Sequence, residues 1–493
     1  MNSWPSYPLI YEINTWVWLQ DLSDQEKRRV TLGNVPAREW DELASLKFDA
    51  VWLMGVWRRS PACVAISNQN PANLSEFYRA LPDFTPGDNA GSPYAVKDYV
   101  ADDNLGGPEG LAIARAELKS RGIRLILDFV PNHLAHDHPW VAEHPDYFIT
   151  GTREDLERDP ESFARIGNSV FACGRDPYYP AWQDVVQVNA FHTGLREAAR
   201  RTLQNIAGQC DGVRCDMAML VMNDVFEKTW GIRAGQRNAT DYWMDLIGFV
   251  KEKEPGFLFI AEVYWDLEWQ LIQQGFDYCY DKKIYDLLEH GDVLKISQYL
   301  GADMSYQSKM LRFIENHDEQ RAVSLFREDK SQAAALIIAT LPGARLIHEG
   351  QIDGRYIRLP VFLRRRSREL VNSRLRVFYE KLIRIVAGEP FHEGSWKKCE
   401  CCGWPDNPEY KNLLAWYWKY GEVYYLIAIN YCAQDTHGKV CLELEDLEGH
   451  QWQLDDLISG SRFERDGNEM SAAGLYVGLP PWGFHFFRIN KLQ

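Results

Sequence analysis

Apolar residues along this chain fall into short continuous runs separated by stretches with helical spacing, and the alternation persists over most of its length. The run LIYEINTWVWL, between Pro8 and Leu19, is rich in branched and aromatic residues and predicts a buried strand. A helical stretch from about Pro36 to Leu46 follows, and AVWLMGVW, Ala50 to Trp57, predicts a second strand. An amphipathic pattern from about Glu109 to Arg121 is ended by Gly122, after which IRLILDFVPNH, Ile123 to His133, has the apolar core of a strand covered on both faces. A helix from about Thr193 to Gly208 leads into Gly212-Val-Arg-Cys-Asp-Met-Ala218. Further strand candidates are FLFIAEVYW (Phe257 to Trp265), Phe276 to Tyr280, KMLRFIENHDE (Lys309 to Glu319) and ARLIHEG (Ala344 to Gly350). Eight parallel candidates with helices between them predict an α/β fold, a closed (β/α)8 TIM barrel with its chemistry at the carboxyl ends of the strands.

Three segments depart from this rhythm. Residues 58–108 contain Pro61, Pro71, Pro82, Pro86 and Pro93 and read as a long polar connection, of the kind that is functional or disordered. Residues 134–190 read as a small domain inserted after the third strand. After about Pro390 the pattern changes to short alternating strands, with NLLAWYWKY from Asn412, EVYYLIAIN from Glu422, KVCLEL from Lys439 and a last run ending at Ile489. With no helix-length apolar pattern between them, these predict a C-terminal antiparallel β-sandwich. The expected organisation is a barrel over 1–133 and 191–389, an insert over 134–190 and a sandwich over 390–493. The basic run Arg364-Arg-Arg-Ser-Arg368 reads as a solvated surface element.

Composition narrows the class of ligand. The 493 residues are 46% apolar and 25% charged, the balance of a soluble globular chain of two or three domains. A net charge of -16 disfavours nucleic acid and anionic membranes as partners, because the long-range electrostatic term is repulsive. Eighteen Trp, 24 Tyr and 22 Phe suit stacking on sugar rings, although aromatic residues serve the core more often. Met1 to Leu9 shows no basic region followed by an apolar core, and no apolar run approaches the roughly 20 residues of a membrane helix. A cytoplasmic protein with its ten cysteines reduced is expected, with Cys215 packed inside its strand. Cys399, Cys401 and Cys402 cluster tightly, but their spacing matches no paired zinc pattern and no histidine follows at a suitable interval, so no metal is expected there. Oligomeric state is not legible in the sequence.

The charged residues at the ends of the apolar runs carry the candidate chemistry. Side chains alternate along a strand, so Arg214 and Asp216 point to one side, where the guanidinium can hold the carboxylate ionised. That pair fits an anionic nucleophile, and taken alone it fits a buried ion pair equally well. Asp128, Glu262 and Asp318 are expected at corresponding strand ends. Asp216, Glu262 and Asp318 together suit displacement at an anomeric carbon, which needs one ionised attacker, one protonated donor and a third carboxylate to stabilise positive charge on the sugar. Glu262 follows the apolar Phe259-Ile260-Ala261, and desolvation and neighbouring anions would raise its pKa.

DFVPNH at 128–133, GVRCDMAM at 212–219, FIAEV at 259–263 and FIENHD at 313–318 are similar, in order, to the four signature blocks of the α-amylase superfamily of retaining glycoside hydrolases and transglycosylases. The expected barrel, insert and sandwich also resemble that family's architecture, so the resemblance covers nearly the whole chain. It implies Asp216 as nucleophile, Glu262 as general acid and then base, and Asp318 as the residue that fixes the sugar hydroxyls at positions 2 and 3. It further implies that His133 and His317 hydrogen-bond the same sugar, that Arg214 supports the nucleophile and that Tyr94, in GSPYAVKDY, stacks beneath the ring. Asp128, Asn132 and Asn316 are structural neighbours on this reading. Double displacement with retention would require the two carboxyl groups about 5 to 5.5 Å apart. Many relatives carry Lys-His shortly after the nucleophile and an aspartate near the end of the insert. Here Met219-Leu220 and Gln187-Val188-Asn189 stand there, which weakens the case for the family's calcium site, and no cofactor is required. The leading expectation is a hydrolase of maltooligosaccharides or α-glucans. A glucosyl or maltosyl transferase and a trehalose- or sucrose-type enzyme use the same scaffold, and the intact triad argues against a non-catalytic carbohydrate-binding protein.

Overall fold

Eight strands close into a parallel barrel: β1 (Leu9–Asn14), β2 (Ala50–Met54), β3 (Arg124–Phe129), β4 (Gly212–Cys215), β5 (Leu258–Ala261), β6 (Tyr278–Tyr280), β7 (Met310–Arg312) and β8 (Ala344–His348), with β8 pairing back onto β1. The computed structural model of the protein describes residues 4–492. Residues 1–3 and 493, the outer ends of the expected barrel and sandwich segments, lie outside it. The strands read as continuous apolar runs because one face fills the barrel and the other packs on the surrounding helices. Among the described residues no helix is long and apolar enough to cross a membrane.

The barrel strands are shorter than the apolar runs. The last residue of β1, Asn14, pairs with Met54, the last of β2, and Gly55 then turns the chain away at φ 78°. With no neighbour left to complete a ladder, Thr15 starts a helix to Glu26 that buries Val17, Leu19 and Leu22. The strand expected through Leu19 is thus a strand and a helix. The run Ala50 to Trp57 divides at Gly55 for the same reason, and Trp57–Arg59 pairs antiparallel with Val96–Ala101 outside the barrel. Likewise β5 stops at Ala261 and β7 at Arg312, so the residues after them belong to loops.

The segment 58–108 is not a polar connection. Helices Pro61–Ser67 and Pro71–Ala80 occupy much of it. Its prolines are helix starts: Ser60 accepts from the amide of Cys63 and Asn70 from those of Ala72 and Asn73, while each proline sits where a missing N–H costs nothing. After β3 the insert forms a four-stranded sheet in the order His133–Ala135, Trp182–Gln187, Ser169–Gly174, Phe163–Ile166.

The C-terminal part has a six-stranded antiparallel sheet and a three-stranded one. In Leu413–Tyr420, Leu414, Trp416 and Trp418 join the barrel core while Leu413, Ala415 and Tyr417 join the core between the two sheets. This strand is apolar on both faces because both faces are covered. Trp416 Nε1 and Trp418 Nε1 donate to the hydroxyl and carbonyl of Thr340, at 3.2 and 2.6 Å. Thr340 ends the barrel helix Glu328–Thr340, whose residues from Ser331 onward are all buried. The KVCLEL strand ends early, at Val440, and a short helix, Gly467–Ala473, lies between strands where no helix was expected.

The basic run also departs from expectation. Arg365 pairs with Asp83 and Asp88, and Arg366, with only 7% of its side chain exposed, pairs with Asp21 and Glu349. The segment after β8 folds back so that Ala90 donates its amide to Phe362 O, and this return carries Arg365 and Arg366 onto acidic partners while Arg364 and Arg368 stay exposed as expected.

Candidate active site

Arg214 projects from β4 into the barrel and is 1% exposed. Its Nη1 donates to Asp216 Oδ1 at 2.8 Å, its Nη2 lies 2.8 Å from Glu262 Oε2, and its Nε donates to the Tyr280 hydroxyl at 3.2 Å. The guanidinium sits 5.0 Å from the centre of the Tyr94 ring and 5.5 Å from that of Trp52. One cation therefore serves both carboxylates, where the sequence pattern had paired it with Asp216 alone.

The chain between the two acids is shaped for this contact. Met217, at φ 42°, takes a left-handed conformation that is rare for a side-chain-bearing residue, and its amide donates to Glu262 Oε2 at 2.6 Å. The Ala218 amide reaches Glu262 O at 2.9 Å, and the Tyr264 hydroxyl donates to Glu262 Oε1, also at 2.9 Å. Burial pushes the Glu262 carboxyl up, Arg214 pulls it back, and the Asp216 and Asp318 anions push it up again, to about 7. Burial raises Asp216 as well, against the direct pull of Arg214.

Asp318 is not at the strand end but in the loop after β7. Asn316 makes the turn that presents it, its Oδ1 accepting the amides of Asp318 and Glu319 at 2.9 Å each. Partial desolvation pushes the Asp318 carboxyl up, but His317 and Arg214 outweigh it and hold the group down at about 2. His317 Nε2 lies 2.9 Å from Asp318 Oδ2 and 2.6 Å from the Tyr94 hydroxyl, and Nδ1 lies 2.5 Å from Glu12 Oε1. His133 Nε2 stands 3.9 Å from Asp216 Oδ2, and burial lowers its pKa to about 4, so its ring is neutral. Asp128 lies within β3, fully buried, and accepts from Trp52 Nε1 at 3.1 Å and the Gly55 amide at 2.8 Å; burial raises it to about 6.

Tyr94, His133, Asp216, Glu262 and Asp318 open on one cavity of about 330 Å³. Trp182, Asp184, Tyr264 and Phe362 line it too and were not singled out from the sequence. Glu12 was also missed, although a lone carboxylate in the apolar run LIYEIN signals a buried charge.

Asn132 does not reach the cavity. Its Oδ1 accepts from Gln187 Nε2 at 2.9 Å and its Nδ2 donates to Gln187 Oε1 at 3.3 Å. In this reciprocal pair both side-chain amide oxygens accept a hydrogen bond from the other residue. Among the described residues no group of three or more His, Cys, Asp or Glu could hold a metal ion. In the cysteine cluster, Cys402 Sγ lies 3.5 Å from Cys441 Sγ, and all ten cysteines are free.

Comparison with known proteins places these residues in context. The family described as "Alpha amylase, catalytic domain" matches residues 39–356. The alpha-amylase MalA of Haloarcula japonica is 24% identical over 365 residues, covering 71% of this chain and 45% of that protein. Alpha-amylase 3 of Dictyoglomus thermophilum is 23% identical over 367 residues, again 71% of this chain and 65% of the relative. The chain thus spans less than two thirds of the length of either. The solved maltogenic alpha-amylase AmyB of Thermotoga neapolitana shares the fold with a TM-score of 0.68 over 99% of both chains, at 16% identity.

Proposed function

The chain belongs to the α-amylase family, and from that premise we propose that it is a retaining glycoside hydrolase that cleaves the α-glucosidic bonds of maltooligosaccharides or α-glucans by double displacement. Asp216 attacks C1 of the glucosyl unit while Glu262 gives its proton to the glycosidic oxygen; the C1–O bond breaks and a β-glucosyl ester forms. Glu262, now ionised, takes a proton from water, whose oxygen attacks C1 from the face the leaving group vacated. The ester breaks and Asp216 is regenerated with net retention.

The observation that carries this reading is the single guanidinium of Arg214 set 2.8 Å from an oxygen of each acid, Asp216 and Glu262. A shared cation favours the short separation of a nucleophile and acid pair over the wider spacing that seats a water between two carboxyls. Glu262 at about 7 can hold a proton to donate, and Asp318 at about 2 stays an anion facing the developing oxocarbenium charge. Tyr94 offers a ring face to the sugar, while the neutral ring of His133 and the ring of His317 offer donors to its hydroxyls. No step in this reading requires a metal. Ten free thiols support a reducing compartment, so we assign the protein to the cytoplasm.

An anomer-resolved proton NMR time course with maltoheptaose, in EDTA and again with calcium, tests the reading. Shorter sugars released first as the α-anomer in both conditions are expected. Release as the β-anomer would overturn retention, and longer products accumulating beside the short ones would make the protein a transferase. In Asp216→Asn, turnover is expected to fall below about one-thousandth of wild type with the melting temperature retained.

A further inference from the structure

A buried acid beside the site is left without a role by the mechanism. Glu12, in the middle of β1, is fully buried inside the barrel, with Oε1 2.5 Å from His317 Nδ1 and Oε2 without any hydrogen-bond partner. A carboxylate in such a place is costly unless a cation lies against it. We propose that Glu12 is a positioning residue that holds the His317 ring as a doubly protonated imidazolium, one N–H committed inward to Glu12 and the other presented to Asp318 and the sugar hydroxyls. The proposal deepens the glycosidase reading and rests on it for the sugar.

The geometry constrains the proton count. His317 has a carboxylate oxygen at each ring nitrogen, Glu12 Oε1 at Nδ1 and Asp318 Oδ2 2.9 Å from Nε2. Ionised carboxylates only accept, so a ring that serves both of them carries a proton on each nitrogen. The ring is held edge-on against Trp52, with centroids 5.4 Å apart, and its Nε2 is also within 2.6 Å of the Tyr94 hydroxyl.

The charged and titratable groups facing His317 and Glu12 come from six elements: Glu12 itself on β1, Asp128 on β3, Arg214 on β4, Tyr280 on β6, Tyr94 before the Val96–Ala101 strand, and Asp318 in the loop after β7. Arg214 opposes a second cation. Asp318 on one side and Glu12 on the other favour it. Burial pulls the imidazole down, and Asp318 and Glu12 outweigh that to raise it to about 10. A neutral ring would leave Asp318 facing either a nitrogen lone pair or a weaker donor. The imidazolium therefore keeps Asp318 ionised and oriented, and Glu12 acts through it without touching the substrate.

The test is a nitrogen-15 and proton NMR titration of full-length protein labelled at histidine, with His317 assigned by the signals missing from His317→Asn. In the wild type both ring nitrogens of His317 should remain protonated from pH 6 through pH 9. In Glu12→Gln the titration should move down by about one to two pH units, with kcat for maltoheptaose lowered about tenfold or more at pH 8 and restored in part by Glu12→Asp. A wild-type ring with one protonated nitrogen at pH 7, or a His317 titration unmoved in Glu12→Gln, would overturn the proposal. The wild-type spectrum decides the point even if Glu12→Gln fails to fold. Because this readout needs no substrate, it also stands apart from absent turnover of every α-glucan, which would overturn the hydrolase reading instead.

Discussion

A carboxyl that must deliver a proton near neutral pH has to hold it there, and at Glu262, the proposed acid, burial beside the Asp216 and Asp318 anions outweighs Arg214 and raises the group to about 7. Activity should therefore decline as pH rises through about 7, and Glu262→Gln should lose about 10²- to 10⁴-fold in kcat and flatten that limb of the pH–rate profile. The same shift has a stability consequence of opposite sense to an ordinary salt bridge. Between the unfolded glutamate value of about 4.3 and the folded value of about 7, the native state binds a proton that the unfolded chain has released, so stability falls as pH rises through that window. Glu262→Gln removes the effect. Denaturant titrations should find the variant more stable than wild type at pH 8, by up to about 3 kcal/mol, and close to it at pH 4.5. Equal differences at the two pH values would contradict burial as the cause of the shift.

At the scale of elements, the segment that follows β8 is held down by buried ion pairs as well as by an apolar cluster in which Leu363 packs with Phe77, Leu81 and Phe84. Arg366 reaches Asp21 and both oxygens of Glu349, and Glu349 is pushed up by burial but pulled down further by Arg366, to about 2. A carboxyl depressed in the folded state contributes stability that is present above its unfolded pKa and lost as pH falls from there toward 2. Arg366→Met should leave Glu349 buried without its cation, costing about 3–5 kcal/mol at pH 7 and much less near pH 3, as read by thermal melts across that range. A uniform loss across pH would point to lost packing of the arginine stem instead. Because Phe362 lines the proposed active-site cavity from this segment, KM for maltoheptaose should rise in the same variant.

For the whole molecule, one sheet ties the terminal sandwich to the barrel. Trp416 and Trp418 lie in the barrel's own core and donate to Thr340, while their strand neighbours Ala415 and Tyr417 lie in the other core. Trp418→Ala should destabilise the protein by about 3–5 kcal/mol. Barrel and sandwich are expected to unfold in one calorimetric transition in the wild type, with catalytic activity lost in the same interval. Two separated transitions would show that the shared sheet does not couple them.

The barrel strands were legible because a strand covered on both faces must be apolar on both, and FLFIA, ARLIH and AVWLM can satisfy little else. Their ends were not, since nothing in LIYEINTWVWL marks Asn14 as the last residue with a neighbouring strand; only the pairing with Met54 and the turn at Gly55 decide it. Pro61 and Pro71 read as breakers until Ser60 and Asn70 are seen to cap the helices those prolines begin. Of the candidate site, alternation along a strand and apolar flanks mark Asp216 and Glu262 as candidates, while Asp318, in the loop after β7, is marked only by the similarity of FIENHD to a signature block. Which groups share a proton or a cation does not follow from the sequence. Arg214 spans two acids, Glu12 meets His317 from 305 residues away along the chain, and Asn132 faces an amide rather than the cavity. Local pattern determines what a residue can be; the protonation state it takes is an energy of neighbours, and closing the barrel is what chooses them.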